Sequence, residues 1–109
     1  MKKNIINLIL LLFSPLFGQV VINEYSASNL SWYADNYQME EDWIELYNTG
    51  STEEDIGGYF LSDDSDEPAK WMIPGGTVIP ADGYIVFWCS GRDEYSDNNY
   101  HTNFKLKQT

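Results

Sequence analysis

Four carboxylates crowd the run Ser62-Asp63-Asp64-Ser65-Asp66-Glu67, the densest oxygen cluster in the chain. Calcium takes several carboxylate and carbonyl oxygens from a flexible loop. Asp63, Asp64, Asp66 and Glu67 therefore form a candidate calcium site, with Glu53-Glu54-Asp55 as a further source of acids. The run lacks the glycine and distal glutamate of an EF-hand loop. The plain alternative is a solvated turn between strands. If calcium binds here, the melting midpoint should be higher in calcium than in chelator, and identical midpoints would remove the idea.

Glu24, Asp42 and Glu45 are a second set of carboxylates. Strand alternation puts Glu24 on the face of Val20 and Ile22, and Glu45 on the face of Trp43 and Tyr47. A carboxylate on an apolar face must be hydrogen-bonded, paired or liganding a cation. Two such groups can do acid–base work, but no nucleophile or oxyanion donor accompanies them. Hydrogen bonding at the ends of a sheet serves as well. His101 is the only histidine and cannot anchor a triad by itself, so a structural hydrogen bond is expected of it. No phosphate loop, nucleophile elbow or zinc pair occurs, and no residue is assigned a catalytic or cofactor-binding role. Trp32, Tyr33 and Tyr37 could form an aromatic platform for sugar rings, or pack onto a sheet face. Asn29-Leu30-Ser31 matches a glycosylation sequon. Cys89, the only cysteine, excludes an intramolecular disulfide; following Ile85-Val86-Phe87-Trp88, it is expected to be a buried packing residue.

The elements that must position these groups are strands. Short β-rich runs separated by turn clusters predict an all-β sandwich or barrel. They are Val20–Tyr25, Trp43–Tyr47, Tyr59–Leu61, Trp71–Ile73, Tyr84–Cys89 and Asn103–Lys107. The fifth is nearly all apolar and suits a strand covered on both faces. In the sixth, Phe104 and Leu106 are expected to face the core, with Lys105 and Lys107 in water. Gly57-Gly58, Pro74-Gly75-Gly76 and Ala81-Asp82-Gly83 mark turns. Two connections are long. Ser26–Glu41 holds too many apolar groups for a purely solvated loop, and the Asp/Asn/Ser-rich stretch Ser90–Tyr100 is expected to be mobile. If Trp43 is core, its truncation to alanine should cost about 3–5 kcal/mol.

The 109 residues allow one small domain. Lys2 and Lys3, the apolar stretch Ile5–Phe13, the Ser14-Pro15 break and Leu16-Phe17-Gly18 read as a signal peptide over residues 1–18, cut before Gln19. The apolar stretch is shorter than the ~20 residues of a membrane span, so no span is expected after cleavage. The second domain boundary is then 19–109. Cleavage removes two lysines and no acids, which takes the net charge from −11 to −13. Such a balance argues against nucleic acid, whose phosphates demand a basic footprint. It suits an extracellular protein, a cation ligand, a basic partner or simple solubility.

Several stretches, in order, carry a family resemblance. They are Val21-Ile22-Asn23-Glu24, Ala27-Ser28-Asn29, Asp42-Trp43-Ile44-Glu45-Leu46-Tyr47-Asn48 and Ile56-Gly57-Gly58-Tyr59-Phe60-Leu61-Ser62-Asp63-Asp64. Lys70-Trp71, Ile73-Pro74-Gly75-Gly76-Thr77-Val78-Ile79-Pro80, Gly83-Tyr84 and His101-Thr102-Asn103-Phe104-Lys105-Leu106 complete the set. Together they resemble the lamin-tail domain in its bacterial secreted form. The resemblance implies an immunoglobulin-like β-sandwich and a non-catalytic module for adhesion or recognition, secreted or at the cell surface, with a protein or cell-surface glycan as partner. Similar modules also stand beside catalytic domains, so an N-terminal accessory domain of a larger exported enzyme (a hydrolase, nuclease or kinase-like spore-coat protein) stays open. A calcium-stabilised structural module stays open too. Such domains usually continue past the Asn103–Leu106 stretch with further strands, so the sandwich is expected to be incomplete within these residues.

Overall fold

The computed structural model describes residues 19–26 and 33–106 in full, and 9–11 as backbone. The described chain is all β: β1 (Ile9–Leu11), β2 (Val20–Ser26), β3 (Trp43–Asn48), β4 (Glu54–Asp55), β5 (Phe60–Ser62), β6 (Trp71–Met72), β7 (Val78–Ile79), β8 (Tyr84–Trp88), β9 (Glu94–Ser96) and β10 (Asn99–His101). There is no helix among the described residues.

One layer is a five-stranded sheet in the order β2-β3-β8-β10-β9, antiparallel except for the β8–β10 pair. The other layer is built from the small sheets β1-β5-β6 and β4-β7. Period-two alternation sends Ile44 and Leu46 of β3 and Phe87 of β8 inward, where all three are fully buried. They meet Leu61, Trp71 and Ile79 from the second layer, with Ile56, Ile73, Cys89, Phe104 and Leu106 filling the space between. Trp71 packs edge-on against Phe87, ring centroids 5.8 Å apart, and so bridges the layers. This is an immunoglobulin-like sandwich.

Five of the expected runs are strands, with ends shifted by a residue or two. The sixth is corrected. Phe104 and Leu106 are buried and Lys105 is exposed, as alternation requires, but no strand forms there. Thr102 Oγ1 donates 2.8 Å to the Phe104 carbonyl and turns the chain instead. The expectation for Ser90–Tyr100 is corrected as well, because most of it is the β9–β10 hairpin. Asp97 and Asn98 both have positive φ, 48° and 62°, which is the two-residue turn whose twist suits a hairpin. Short polar side chains tolerate that conformation, so a polar stretch here means a turn. Gly58 has the positive φ expected of the Gly57-Gly58 pair, at 89°. Gly57 is needed for a different reason: a Cβ there would lie 2.7 Å from Gly75 Cα.

The expected leader, residues 1–18, lies mostly outside the described residues. Within it, Ile9, Leu10 and Leu11 pair antiparallel with Ser62, Leu61 and Phe60. That pairing occupies one edge of β5, whose Leu61 and Ser62 are fully buried. A chain starting at Gln19 should therefore present an open strand edge, which is a template for pairing with other chains. Sedimentation of the 19–109 and 1–109 chains at equal concentration checks this. The shorter chain should self-associate more, and equal monomeric behaviour would show that Ile9–Leu11 contributes nothing to protecting the edge.

Candidate functional site

The outward positions of the five-stranded sheet carry the chemistry. Cross-strand register sets a row of residues in line, Ser26–Trp43–Trp88–His101–Glu94, one from each strand. Next to it, Glu24 lies opposite Glu45, and Glu45 opposite Val86. A β-bulge sets this arrangement. The β2–β3 register shifts between Ile22 and Glu24, so the extra residue, Asn23, reverses the alternation beyond it. The expectation that Glu24 shares a face with Val20 and Ile22 is thereby overturned: Glu24 points outward beside Glu45. Glu45 shares its face with Trp43 and Tyr47 as expected, and its Oε1 accepts a 2.8 Å bond from Asn23 Nδ2.

The connection before β3 folds over one half of this face. Asp35 organises it, with Oδ1 accepting from the amides of Tyr37 (2.8 Å) and Met39 (3.0 Å). Tyr33 sets its ring edge-on to Trp43, centroids 5.5 Å apart, and Tyr37 does the same to His101 at 5.7 Å. Arg92 lies over the Tyr37 ring, 3.8 Å from its centroid, and the Tyr37 hydroxyl donates to Glu94. That bond, with a second from Ser96, holds the Glu94 carboxyl below the usual range. Tyr33 and Tyr37 thus pack by one side and expose the other; Trp32 and the Asn29 sequon lie outside the described residues.

Under this cover Ser90, His101 and Asp35 come together, all buried. The set contains the residue types of a hydrolytic triad, but its wiring differs. A triad needs the carboxylate on one ring nitrogen and the nucleophile on the other. Here Ser90 Oγ lies 2.8 Å from His101 Nδ1, and Asn36 Oδ1 lies 2.7 Å from Nε2. Asn36 Nδ2 donates to Ser96 Oγ, so its oxygen is the atom facing His101. The ring therefore donates from Nε2, and Nδ1 accepts from Ser90. Asp35 Oδ2 sits 4.0 Å from that same Nδ1 and, among the described residues, has no hydrogen-bond partner. His101 is a structural residue at the end of β10, hydrogen-bonded through both ring nitrogens. It is a neutral one, because burial lowers its pKa.

Unfolded His101 takes up a proton as pH falls through about 6.5, while the folded, buried ring resists. Below that pH the unfolded state binds more protons, so stability falls with falling pH, at no more than about 1.4 kcal/mol per pH unit for one group. Above about pH 7.5 the contribution is flat. Comparing melting at pH 5.5 and 7.5, the wild type should lose more stability than His101→Gln; parallel losses would rule the group out.

The other half of the outer face stays open as a cleft of about 480 Å³. Trp43 and Trp88 form part of its lining, with Tyr84, Val86, Glu24 and Glu45. Trp88 Nε1 is tied to Asn99 Oδ1 at 2.9 Å. Trp43 is 7% exposed, yet its Nε1 meets no acceptor among the described residues. Trp43 is thus buried, but on the face away from the core. Tyr84 is 55% exposed and stacks on Tyr47 at 4.6 Å. The Tyr47 hydroxyl donates to Asp82, which raises its pKa. Tyr84, Val86 and Trp88 were not among the expected site residues, although the pattern of their strand carried a signal. A strand apolar on both faces, with only one of them facing the core, must offer the other to something.

The acidic run 62–67 is divided by the fold. Asp63 is buried and paired with Lys70 Nζ at 2.9 Å, and Lys70 also covers the Phe104 ring. Asp64 Oδ1 accepts from the Asp66 amide, and Asp66 and Glu67 are exposed. Among the described residues no group of three or more His, Cys, Asp or Glu is placed to hold a metal ion. Cys89 is buried, and burial pushes its thiol pKa well up, so it is a packing residue and not a reactive one. No helix of the described residues is long and apolar enough to cross a membrane.

The described residues thus form an immunoglobulin-like sandwich with a structural Ser90–His101–Asp35 cluster and an aromatic, acidic cleft on its outer face. The Lamin Tail Domain family model matches residues 14–109, and the chain belongs to that family of non-catalytic immunoglobulin-like domains. No curated protein and no solved structure gives a match.

Proposed function

We propose that this chain is an exported recognition module acting at the cell surface, with no catalysis of its own. The observation that carries it is the cleft on the outer sheet face. Aromatic rings at Tyr84, Trp43 and Trp88 line it beside two carboxylates, and Tyr84 is the most exposed of the three. Among the described residues no nucleophile with its base lies beside them. Lys2, Lys3 and the apolar run to Phe13 support export.

The test is binding of the labelled chain to envelopes of the cells that produce it. Tyr84→Ala is the informative variant, because Tyr84 is exposed and its loss leaves the core untouched. Binding severalfold weaker in the variant supports the cleft as the recognition site. Binding unaltered by Tyr84→Ala, or none at all, overturns it. Protein found uncut in the cytosol would overturn export.

A further inference from the structure

We infer that the cleft takes a positively charged side chain, a lysine or arginine presented by a peptide; this rests on the cleft being the recognition site proposed above. The register is the starting point. Glu24 and Glu45 are direct cross-strand partners on the same face. Like charges so placed repel each other. Among the described residues no Arg or Lys lines the cleft, so nothing basic there offsets the two carboxylates. Asn23 gives Glu45 one neutral hydrogen bond, which leaves the charge in place.

An arriving cation relieves that repulsion, and a neutral sugar does not. The aromatic faces add to the preference, since a cation is attracted by the negative face of a ring. The chain's net charge of −11 draws cations and repels anionic ligands. A bare metal ion fits less well, because two carboxylates give it few oxygen ligands and the rings beside them give none. The carboxylates then take the side-chain head and the rings its stem.

The experiment uses the intact 109-residue chain and follows the Trp43 indole N–H resonance. The probes are acetyl-Gly-Lys-Gly-amide, its glutamine counterpart and methyl α-glucoside. The lysine peptide should shift the resonance saturably and bind several times more weakly when salt is raised from about 50 mM to 500 mM. Glu24→Gln and Glu45→Gln should each weaken it severalfold, and Glu24→Gln should raise the ligand-free melting midpoint by removing the repulsion. Equal binding of the glutamine peptide, or salt-independent binding, overturns the inference. A shift with the glucoside alone also overturns it, while leaving the cleft as a recognition site. No shift with any probe, alongside Tyr84-dependent envelope binding, refutes the cationic ligand only; loss of that binding too refutes both.

Discussion

Replacing Phe87 by alanine should lower the unfolding free energy by about 3–5 kcal/mol, the range for deleting a buried aromatic ring and leaving its cavity. Phe87 is fully buried in β8, the central strand of the larger sheet. Its ring meets Trp71 across the sandwich at 5.8 Å and Tyr100 on the neighbouring strand at 5.4 Å. Those aromatic partners are themselves held in place, so the cavity cannot collapse cheaply. Urea unfolding of the 109-residue chain should show a lower midpoint with an unchanged slope. A loss below about 1 kcal/mol would mean that the layers do not meet at this ring. Trp43→Ala gives the contrast. Trp43 is almost as buried, but it sits under Tyr33 on the outer face, so its loss opens onto the cleft and should cost less than that of Phe87.

Asn48→Ala should cost about 2–4 kcal/mol, although it removes no apolar surface. Asn48 is fully buried at the end of β3. Its Nδ2 lies within hydrogen-bond distance of the carbonyls of Thr52 (2.9 Å), Ile79 (3.0 Å) and Pro80 (3.1 Å). Its Oδ1 accepts from the Gly50 amide at 2.9 Å. One amide thus ties the 49–52 turn to the segment after β7. Each buried group left without a partner costs about 1–3 kcal/mol, and water can reach some of them once the side chain is gone. Asn48→Asp should be worse than alanine, because it sets a carboxylate against carbonyl oxygens. An aspartate variant as stable as wild type would show that these donated bonds carry no weight.

Asn48 also shows how far sequence reasoning reached. Asp42–Asn48 was legible as a strand and a family marker, because alternation and aromatic content are local properties. That Asn48 pins the adjacent 49–52 turn to Ile79 and Pro80 was not legible, since those two partners lie 31 and 32 residues away. The bulge at Asn23 was equally hidden. A single unpaired residue in β2 decides whether Glu24 faces the core or Glu45, and no pattern within β2 announces it. The hairpin at Asp97-Asn98 was hidden for the opposite reason. Its residues look like a solvated loop, and only positive φ at both positions makes them a turn. Likewise, the acidic run looked like one cluster, until Lys70 drew Asp63 inward and left Asp66 and Glu67 in solvent.

By itself the sequence determined the all-β class, most strands, the buried Cys89 and the lamin-tail family, because side-chain period and turn chemistry are written along the chain. Which carboxylates are neighbours, which tryptophans lie on the outer face and which sheet face stays open came only with the fold. Those depend on strand register and on what covers each face, and both are set by contacts between residues far apart in the chain.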